Sequence, residues 1–255
     1  MRKAVVFTLV VFVCSLIAGA VTADDLAMVK EKGEIKMAMS GQYPPFNFVD
    51  DKNQLTGFDV EIGQAVAKRI GIKAVPLSTA WDGIIAGLLA NKYELICGSM
   101  AITEERLKSI DFSDPYYRSG AQLFVKKGAA IKSVADLTGK KVGVTLGTTY
   151  EKWVRENISG ADVRTYKGVP DRILEVNYGR IDGFITDKIV GALAIKEKGV
   201  PIALVGDLLY EEKMGIALRQ NNPDLKAAMN EALAAIKDDG TYKEISMKWL
   251  GIDVR

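Results

Sequence analysis

An arginine in the first turn of a predicted helix is the residue pattern with the clearest chemical meaning in this sequence. The stretch GSMAITEER at 98–106 follows an apolar strand pattern, and Arg106 falls where a helix is expected to begin. Cations suit the negative, C-terminal end of a helix, so an arginine near the positive end indicates a nearby anion. The N–H groups at 99–101, the Thr103 hydroxyl and the planar guanidinium could together bind a small carboxylate. The alternative is a surface ion pair between Arg106 and a neighbouring acidic residue.

Two further strand ends carry groups that could complete such a site. The sequence GTT at 147–149 ends one strand pattern and opens a helix, which provides a second group of N–H donors. Asp187 follows the strand pattern at 181–185 and precedes another helix. Ligands of open α/β folds bind at the carboxyl ends of the strands, so Asp187 could pair with an ammonium group while Arg106 holds a carboxylate. The alternatives are a tight turn with a threonine cap at 147–149 and a helix N-cap at Asp187.

Two aromatic residues belong to the same predicted edge of the sheet. Tyr43 lies on a loop, and Trp81 lies at the start of a helix pattern. A rigid ring offers apolar area to the stem of a ligand at little cost in entropy. Trp81 also begins an apolar helix pattern, so a place in the core is the alternative for both rings.

Composition excludes several classes of function. The 255 residues include 34 Lys and Arg, 32 Asp and Glu, and no histidine. Without histidine, Ser-His and Cys-His catalysis and ordinary zinc sites are excluded, and no metal or other cofactor is expected. Removal of a leader with Arg2 and Lys3 would make the charge near zero, which argues against nucleic acid as a partner. Cys97 is the single cysteine beyond that leader, so no intrachain disulfide is predicted.

The start of the chain has the organisation of a secretory signal peptide at 1–23. Basic residues at 2–3 precede an apolar run at 4–17 and small residues that end at Ala23, where cleavage is expected. The run is too short for a permanent span, and no later stretch approaches the roughly 20 residues that a membrane-spanning helix needs. Val13 stands before Cys14 where a lipoprotein site requires a small residue, which argues against a lipid anchor. We therefore expect a periplasmic protein.

Strand and helix patterns alternate along the remaining chain, which predicts βαβ units and largely parallel sheets. The alternation restarts after an extended segment at 121–126, and a second extended segment is expected at 215–218 before two terminal helices. The expected organisation is one lobe at 24–120 that is completed by 215–255, and a second lobe at 121–214. The two extended segments would form the hinge.

Several motifs occur in a set order: YPPF at 43–46, GFDVEI at 57–62, ITEER at 102–106, DFSDPYY at 111–117 and VGV through GTT at 142–149. In types and order they resemble solute-binding protein family 3, the polar amino acid-binding proteins of ABC importers. The resemblance covers essentially the whole mature chain. It implies a type II periplasmic binding protein fold, in which two α/β lobes joined by two strands close around a ligand.

The resemblance also implies roles for single residues. Arg106 would bind the ligand α-carboxylate together with the N–H groups of Ser99 and Thr149, and Asp187 would bind the α-ammonium. Tyr43 and Trp81 would sandwich the ligand side chain. Ala101 stands where relatives often have a serine or threonine hydroxyl. The expected ligand-binding residues are Ser40, Tyr43, Trp81, Gly98, Ser99, Ala101, Arg106, Thr145, Thr148, Thr149, Thr186 and Asp187.

The choice of ligand depends on the residues around its side chain. Ser40 is neutral where relatives that bind cationic side chains commonly carry an acid, and Thr145 and Thr186 are also neutral. The stretches at 140–153 and 163–166 are most similar to cystine-binding members. Cystine or another neutral polar amino acid is therefore the expected ligand.

The expected function is that of a monomeric binding protein that passes an amino acid to a membrane permease driven by an ATPase. It is not expected to be an enzyme. The alternatives are a cyclohexadienyl dehydratase-like enzyme on the same fold and a soluble ligand-sensing protein for a receptor.

Overall fold

The computed structural model describes residues 25–255. The predicted signal peptide and Cys14 lie outside these residues. The first part of the chain alternates short helices and strands: α1 (Asp25–Lys32), β1 (Glu34–Met39), β2 (Gln42–Tyr43), β3 (Asn47–Val49), β4 (Leu55–Thr56), α2 (Phe58–Ile70), β5 (Lys73–Ser78), a 3-10 turn (Trp81–Gly83), α3 (Ile84–Leu89), β6 (Leu95–Ala101), α4 (Glu104–Leu107) and β7 (Ile110–Phe112).

The alternation continues in the second part as expected. Its elements are β8 (Tyr117–Lys126), a 3-10 turn (Val134–Leu137), β9 (Lys141–Thr145), α5 (Thr149–Asn157), β10 (Asp162–Tyr166), α6 (Val169–Asn177), β11 (Gly183–Asp187), α7 (Lys188–Lys198), β12 (Ile202–Arg219), α8 (Pro223–Asp238) and α9 (Thr241–Leu250).

The strands form two parallel groups joined by two long strands. The order is β10-β9-β11-β8-β12-β6-β1-β5, with β7 paired to β12. Strand β1 runs parallel to β5 and β6 in the first lobe, and β9 runs parallel to β10 and β11 in the second. Strands β8 and β12 are antiparallel to each other, and residues 117–121 pair with residues 210–214 where the chain passes between the lobes. Strands β2, β3 and β4 form a small separate sheet.

Strand β12 is longer than the sequence predicts. The alternating pattern predicts a strand at 202–205 as well as the extended segment at 215–218, and both are parts of one strand, Ile202–Arg219, with a register shift between Val205 and Tyr210. The stretch between them is not predicted to be a strand. Its residues 210–214 pair with residues 117–121 of β8, so tertiary contact decides their conformation.

Buried apolar clusters stabilise each lobe and also connect the two lobes. Helix α2 buries Phe58, Ile62 and Val66 against β1 and β6, and it ends at Gly71, whose φ of 89° suits a left-handed C-cap. Residues of the second lobe join this core as well, because Val169, Val190 and Leu193 belong to the same buried cluster. The lobes are therefore in direct apolar contact. A separate core in the second lobe contains Leu123, Val142, Val144, Val154 and Ile185.

Among residues 25–255, no helix combines the length and apolar character that crossing a membrane requires.

Candidate functional site

A cavity of about 40 Å³ lies between the lobes, at the edge where β6 and β9 end. All of the expected ligand-binding residues line it except Thr186 and Asp187. The complete lining comprises Ser40, Gln42, Tyr43, Trp81, Gly98, Ser99, Ala101, Arg106, Thr145, Thr148, Thr149, Tyr150, Lys167, Gly168 and Glu212. The polar groups that the sequence places at separate strand ends are thus brought together by the fold.

Arg106 is held in place from both its backbone and its side chain. Its backbone N–H donates to Thr103 Oγ1 at 3.2 Å, and its Nη1 donates to the Ala101 carbonyl at 2.8 Å. The guanidinium carbon lies 5.9 Å from the centre of the Trp81 ring. Burial lowers the pKa of Arg106, while the nearby Glu212 carboxyl raises it. Within the residues that the structure describes, the guanidinium makes no ion pair at contact distance, so most of its donors remain available.

The ion pair that sequence reasoning offered as the alternative for Arg106 forms elsewhere. Glu105 Oε2 lies 2.8 Å from Lys152 Nζ, across the gap between α4 and α5. Both side chains are largely exposed, at 72% and 59% for Glu105 and Lys152. This pair therefore connects the outer surfaces of the two lobes and leaves Arg106 directed to the cavity.

Ser99 lies in the cavity wall, but its N–H group is already engaged. The backbone at Ser99 is left-handed, with φ of 57°, and its N–H donates to Tyr116 Oη at 2.8 Å. The structure therefore differs from the expectation that this N–H binds a carboxylate. Sequence periodicity does not reveal this left-handed backbone conformation or the hydrogen bond to Tyr116.

A buried carboxylate beneath the cavity fixes two of its wall residues. Asp59 accepts hydrogen bonds from Asn47 Nδ2 at 2.7 Å, Tyr116 Oη at 2.6 Å and Ser99 Oγ at 2.9 Å. Ser40 Oγ donates to Asn47 Oδ1 at 3.0 Å. Burial raises the pKa of Asp59 to about 6, although these donors oppose the shift. Ser40 and Ser99 are thus tied to one network.

The second lobe presents the start of α5 to the cavity. Thr148 is the N-cap, and its hydroxyl accepts from Glu151 N–H at 3.3 Å and donates to the Thr145 carbonyl at 2.6 Å. Gly147 N–H donates to Glu151 Oε2 at 2.7 Å. The cap that was the alternative interpretation is therefore present, and Thr149 is the residue of the GTT sequence whose position at the start of α5 suits a ligand.

Glu212 lines the cavity although sequence reasoning did not select it. It lies on β12 and is 8% exposed. Burial raises its pKa, whereas hydrogen bonds from Thr149 and Tyr150 and the charge of Arg106 lower it. A signal was available, because counting back by two from the buried Met214 places Glu212 on the inner face of the strand.

Asp187 and Thr186 are fully buried at the end of β11 and do not line the cavity. Asp187 Oδ1 accepts from Ile189 N–H at 2.7 Å, which makes this residue the N-cap of α7. Its Oδ2 is buried without a hydrogen-bond partner in the described part of the chain, and burial raises its pKa to about 7. Burial raises the pKa of the cavity residue Tyr43, and the charge of Asp187 raises it further. Thr186 Oγ1 accepts from Arg172 Nη2 at 3.5 Å.

Residues 35–252 match the sequence model of the bacterial extracellular solute-binding proteins, family 3. The chain belongs to this family. It is 42% identical over 231 residues to the L-cystine-binding protein TcyJ of Escherichia coli strain K12, an alignment that covers 90% of this chain and 87% of that protein. The family membership predicted from the ordered motifs is confirmed.

Solved structures confirm the two-lobed fold. An ancestral arginine-binding protein bound to arginine superposes with a TM-score of 0.82 at 38% identity, covering 86% of this chain and 99% of that one. The ancestral amino acid-binding protein AncCDT-1, a precursor of cyclohexadienyl dehydratase, superposes with a TM-score of 0.82 at 38% identity. The match covers 88% of this chain and 99% of that one.

Proposed function

We propose that this protein is the extracellular binding component of an ABC importer for a polar amino acid. The observation that carries the proposal is a half-buried arginine and a buried glutamate that line one cavity between two lobes. Such a pair of opposite charges matches the carboxylate and ammonium of a zwitterion, and enclosure strengthens charge-assisted hydrogen bonds. The 42% identity to a protein named as cystine-binding supports the same function.

The ligand α-carboxylate would lie against Arg106 and the first turn of α5 at Thr149. The α-ammonium would lie against Glu212, with the Gly98 carbonyl beside it. Asp187 would contribute from behind this position through the charge of its carboxyl, whose Oδ2 has no hydrogen-bond partner in the described part of the chain. Tyr43 and Trp81 would contact the ligand side chain from the first lobe.

Ligand exchange would require the lobes to separate. We assign the first lobe to 24–120 and 215–255 and the second to 121–214, with paired strands β8 and β12 as the hinge. The lining residues of the cavity come from both lobes, so a ligand that contacts all of them would be released only when the lobes move apart. The Glu105–Lys152 pair and the shared apolar core are contacts that opening would break. We infer that this arrangement is the closed form.

A dehydratase is the second candidate, because a specific observation favours it. Glu212 lies in the cavity, and burial raises the pKa of its carboxyl, as a general acid requires. A solved relative is also the precursor of such an enzyme. We favour binding over turnover, because an ammonium group held by Glu212 would occupy this acid. Release of phenylpyruvate from prephenate by the purified protein would establish the enzyme.

The partners and location follow from the same proposal. A membrane permease with its ATPase would receive the ligand, the protein would act as a monomer in the periplasm, and the segment at 1–23 would be removed on export.

The test is a thermal-shift screen of the amino acids, including cystine, on protein that has been unfolded and refolded to remove bound ligand. A ligand that binds only the folded state raises the melting temperature in proportion to the logarithm of its concentration. The proposal expects such a rise for at least one polar amino acid. No shift with any amino acid at millimolar concentration would refute it.

A further inference from the structure

We propose that Lys167 binds a second carboxylate of the ligand, so that the ligand is an amino acid with two carboxylate groups. The inference rests on the proposed function and narrows its substrate class. Lys167 follows β10 directly and lines the cavity together with Arg106 and Glu212. Its ammonium group makes no ion pair with any residue between 25 and 255, and its side chain is exposed.

Close packing brings this lysine to the ligand cavity. A Cβ atom at the neighbouring Gly168 would lie 2.6 Å from both the Cβ and the carbonyl oxygen of Gln42 in the first lobe. The loop that carries Lys167 therefore rests on the wall formed by Ser40 and Gln42. This contact places the lysine where the cavity opens into a wider groove of about 770 Å³ that contains Ser40, Thr145 and Lys167.

The charges that line the cavity indicate what the ligand carries. Arg106 and Lys167 contribute two positive charges, and Glu212 contributes one negative charge. A ligand with two carboxylates and one ammonium would pair with each of them. The side chain of arginine would instead bring a cation towards Lys167, next to the neutral Ser40 and Thr145.

Two ligand types share this chemistry and differ at the outer end. In a dicarboxylic amino acid, the side-chain carboxylate is the outer end of the ligand and would bind Lys167. Cystine has a second carboxylate for Lys167 and a second ammonium that would reach the groove, where Asp171 lies in the first turn of α6. Substitution of Asp171 therefore distinguishes cystine from a dicarboxylic amino acid.

The experiment is calorimetric titration of refolded full-length mature protein with L-glutamate, L-glutamine and L-cystine. We expect Lys167→Gln to weaken binding of glutamate or cystine at least fivefold while glutamine changes less than twofold. Lys167→Arg should retain most of the affinity, and Lys132→Gln, which changes an exposed lysine outside the cavity, should have no effect. Asp171→Asn should weaken cystine alone if cystine is the ligand.

The outcomes separate the inference from the proposed function. Equal affinities of wild type and Lys167→Gln for every ligand that binds would overturn the role of Lys167 and leave amino acid binding in place. Tighter binding of glutamine than of glutamate and cystine would overturn it as well. Absence of binding by every amino acid tested would refute the proposed function itself.

Discussion

Replacement of Arg106 by alanine should remove the main anchor of the ligand. The guanidinium donates one hydrogen bond to the Ala101 carbonyl at 2.8 Å, and its other N–H groups can donate to both oxygens of a carboxylate. Each charge-assisted hydrogen bond contributes about 1.5 to 3 kcal/mol. Loss of two such bonds corresponds to roughly 3 kcal/mol or more, or about a hundredfold or larger loss of affinity.

The same substitution should have a second effect that depends on pH. The positive charge of Arg106 lowers the pKa of the buried Glu212 carboxyl, whose burial alone raises it. Without the arginine, the pKa of Glu212 rises further, so this carboxyl takes up a proton at a higher pH than in the wild type. As the pH is lowered, the residual affinity of the variant should therefore begin to fall at a higher pH than the affinity of the wild type.

Calorimetric titration of refolded protein at several pH values measures both effects. Arg180→Ala is the matched control, because Arg180 is 67% exposed and pairs with Glu175 at 2.8 Å in the second lobe. The melting temperature of Arg106→Ala without ligand should change by only a few degrees, since the side chain is half-buried and removing its charge also removes a desolvation cost. An unchanged affinity in a folded Arg106→Ala variant would refute the assignment of this residue.

Two further perturbations test the buried carboxylates and the closed form. Burial raises the pKa of Asp187 in the folded protein to about 7, above its value of about 3.9 in the unfolded chain. The contribution of the protonated carboxyl to the free energy of unfolding is therefore complete below about pH 4 and is lost as the pH rises through 7. Asp187→Asn keeps an N-cap residue but removes the titrating carboxyl. In urea titrations, the unfolding free energy of this variant should fall less between about pH 4 and 7 than that of the wild type. An equal fall in both proteins would contradict this. Gly168→Ala places a methyl group 2.6 Å from Gln42 across the lobes, so it should weaken ligand binding at least tenfold with little change in the stability of the open form. Gly83→Ala, with nothing within 4 Å of the new methyl, is the control, and equal affinities of both variants in calorimetry would refute closure through this contact.

Local patterns in the sequence determined much of the architecture. Apolar periodicity predicted the alternating strands and helices, and the ordered motifs predicted the family and the two-lobed fold. The types of residue at 98–106 were sufficient to select Arg106, because its position in the first turn of a helix is a local property. The same applies to Thr148 and Asp187, whose capping roles depend only on the next few residues.

Only the tertiary structure decided which of these groups share one cavity. Period-2 counting from Met214 puts Glu212 on the inner face of β12, but its place beside Arg106 in one cavity follows from the pairing of β12 with β8 and β6. Lys167 joins them because Gly168 packs on Gln42 of the other lobe. Ser99 turns its N–H to Tyr116, which lies 17 residues further along the chain. Each is a contact between distant segments, and their positions depend on how the lobes pack, which sequence periodicity does not encode.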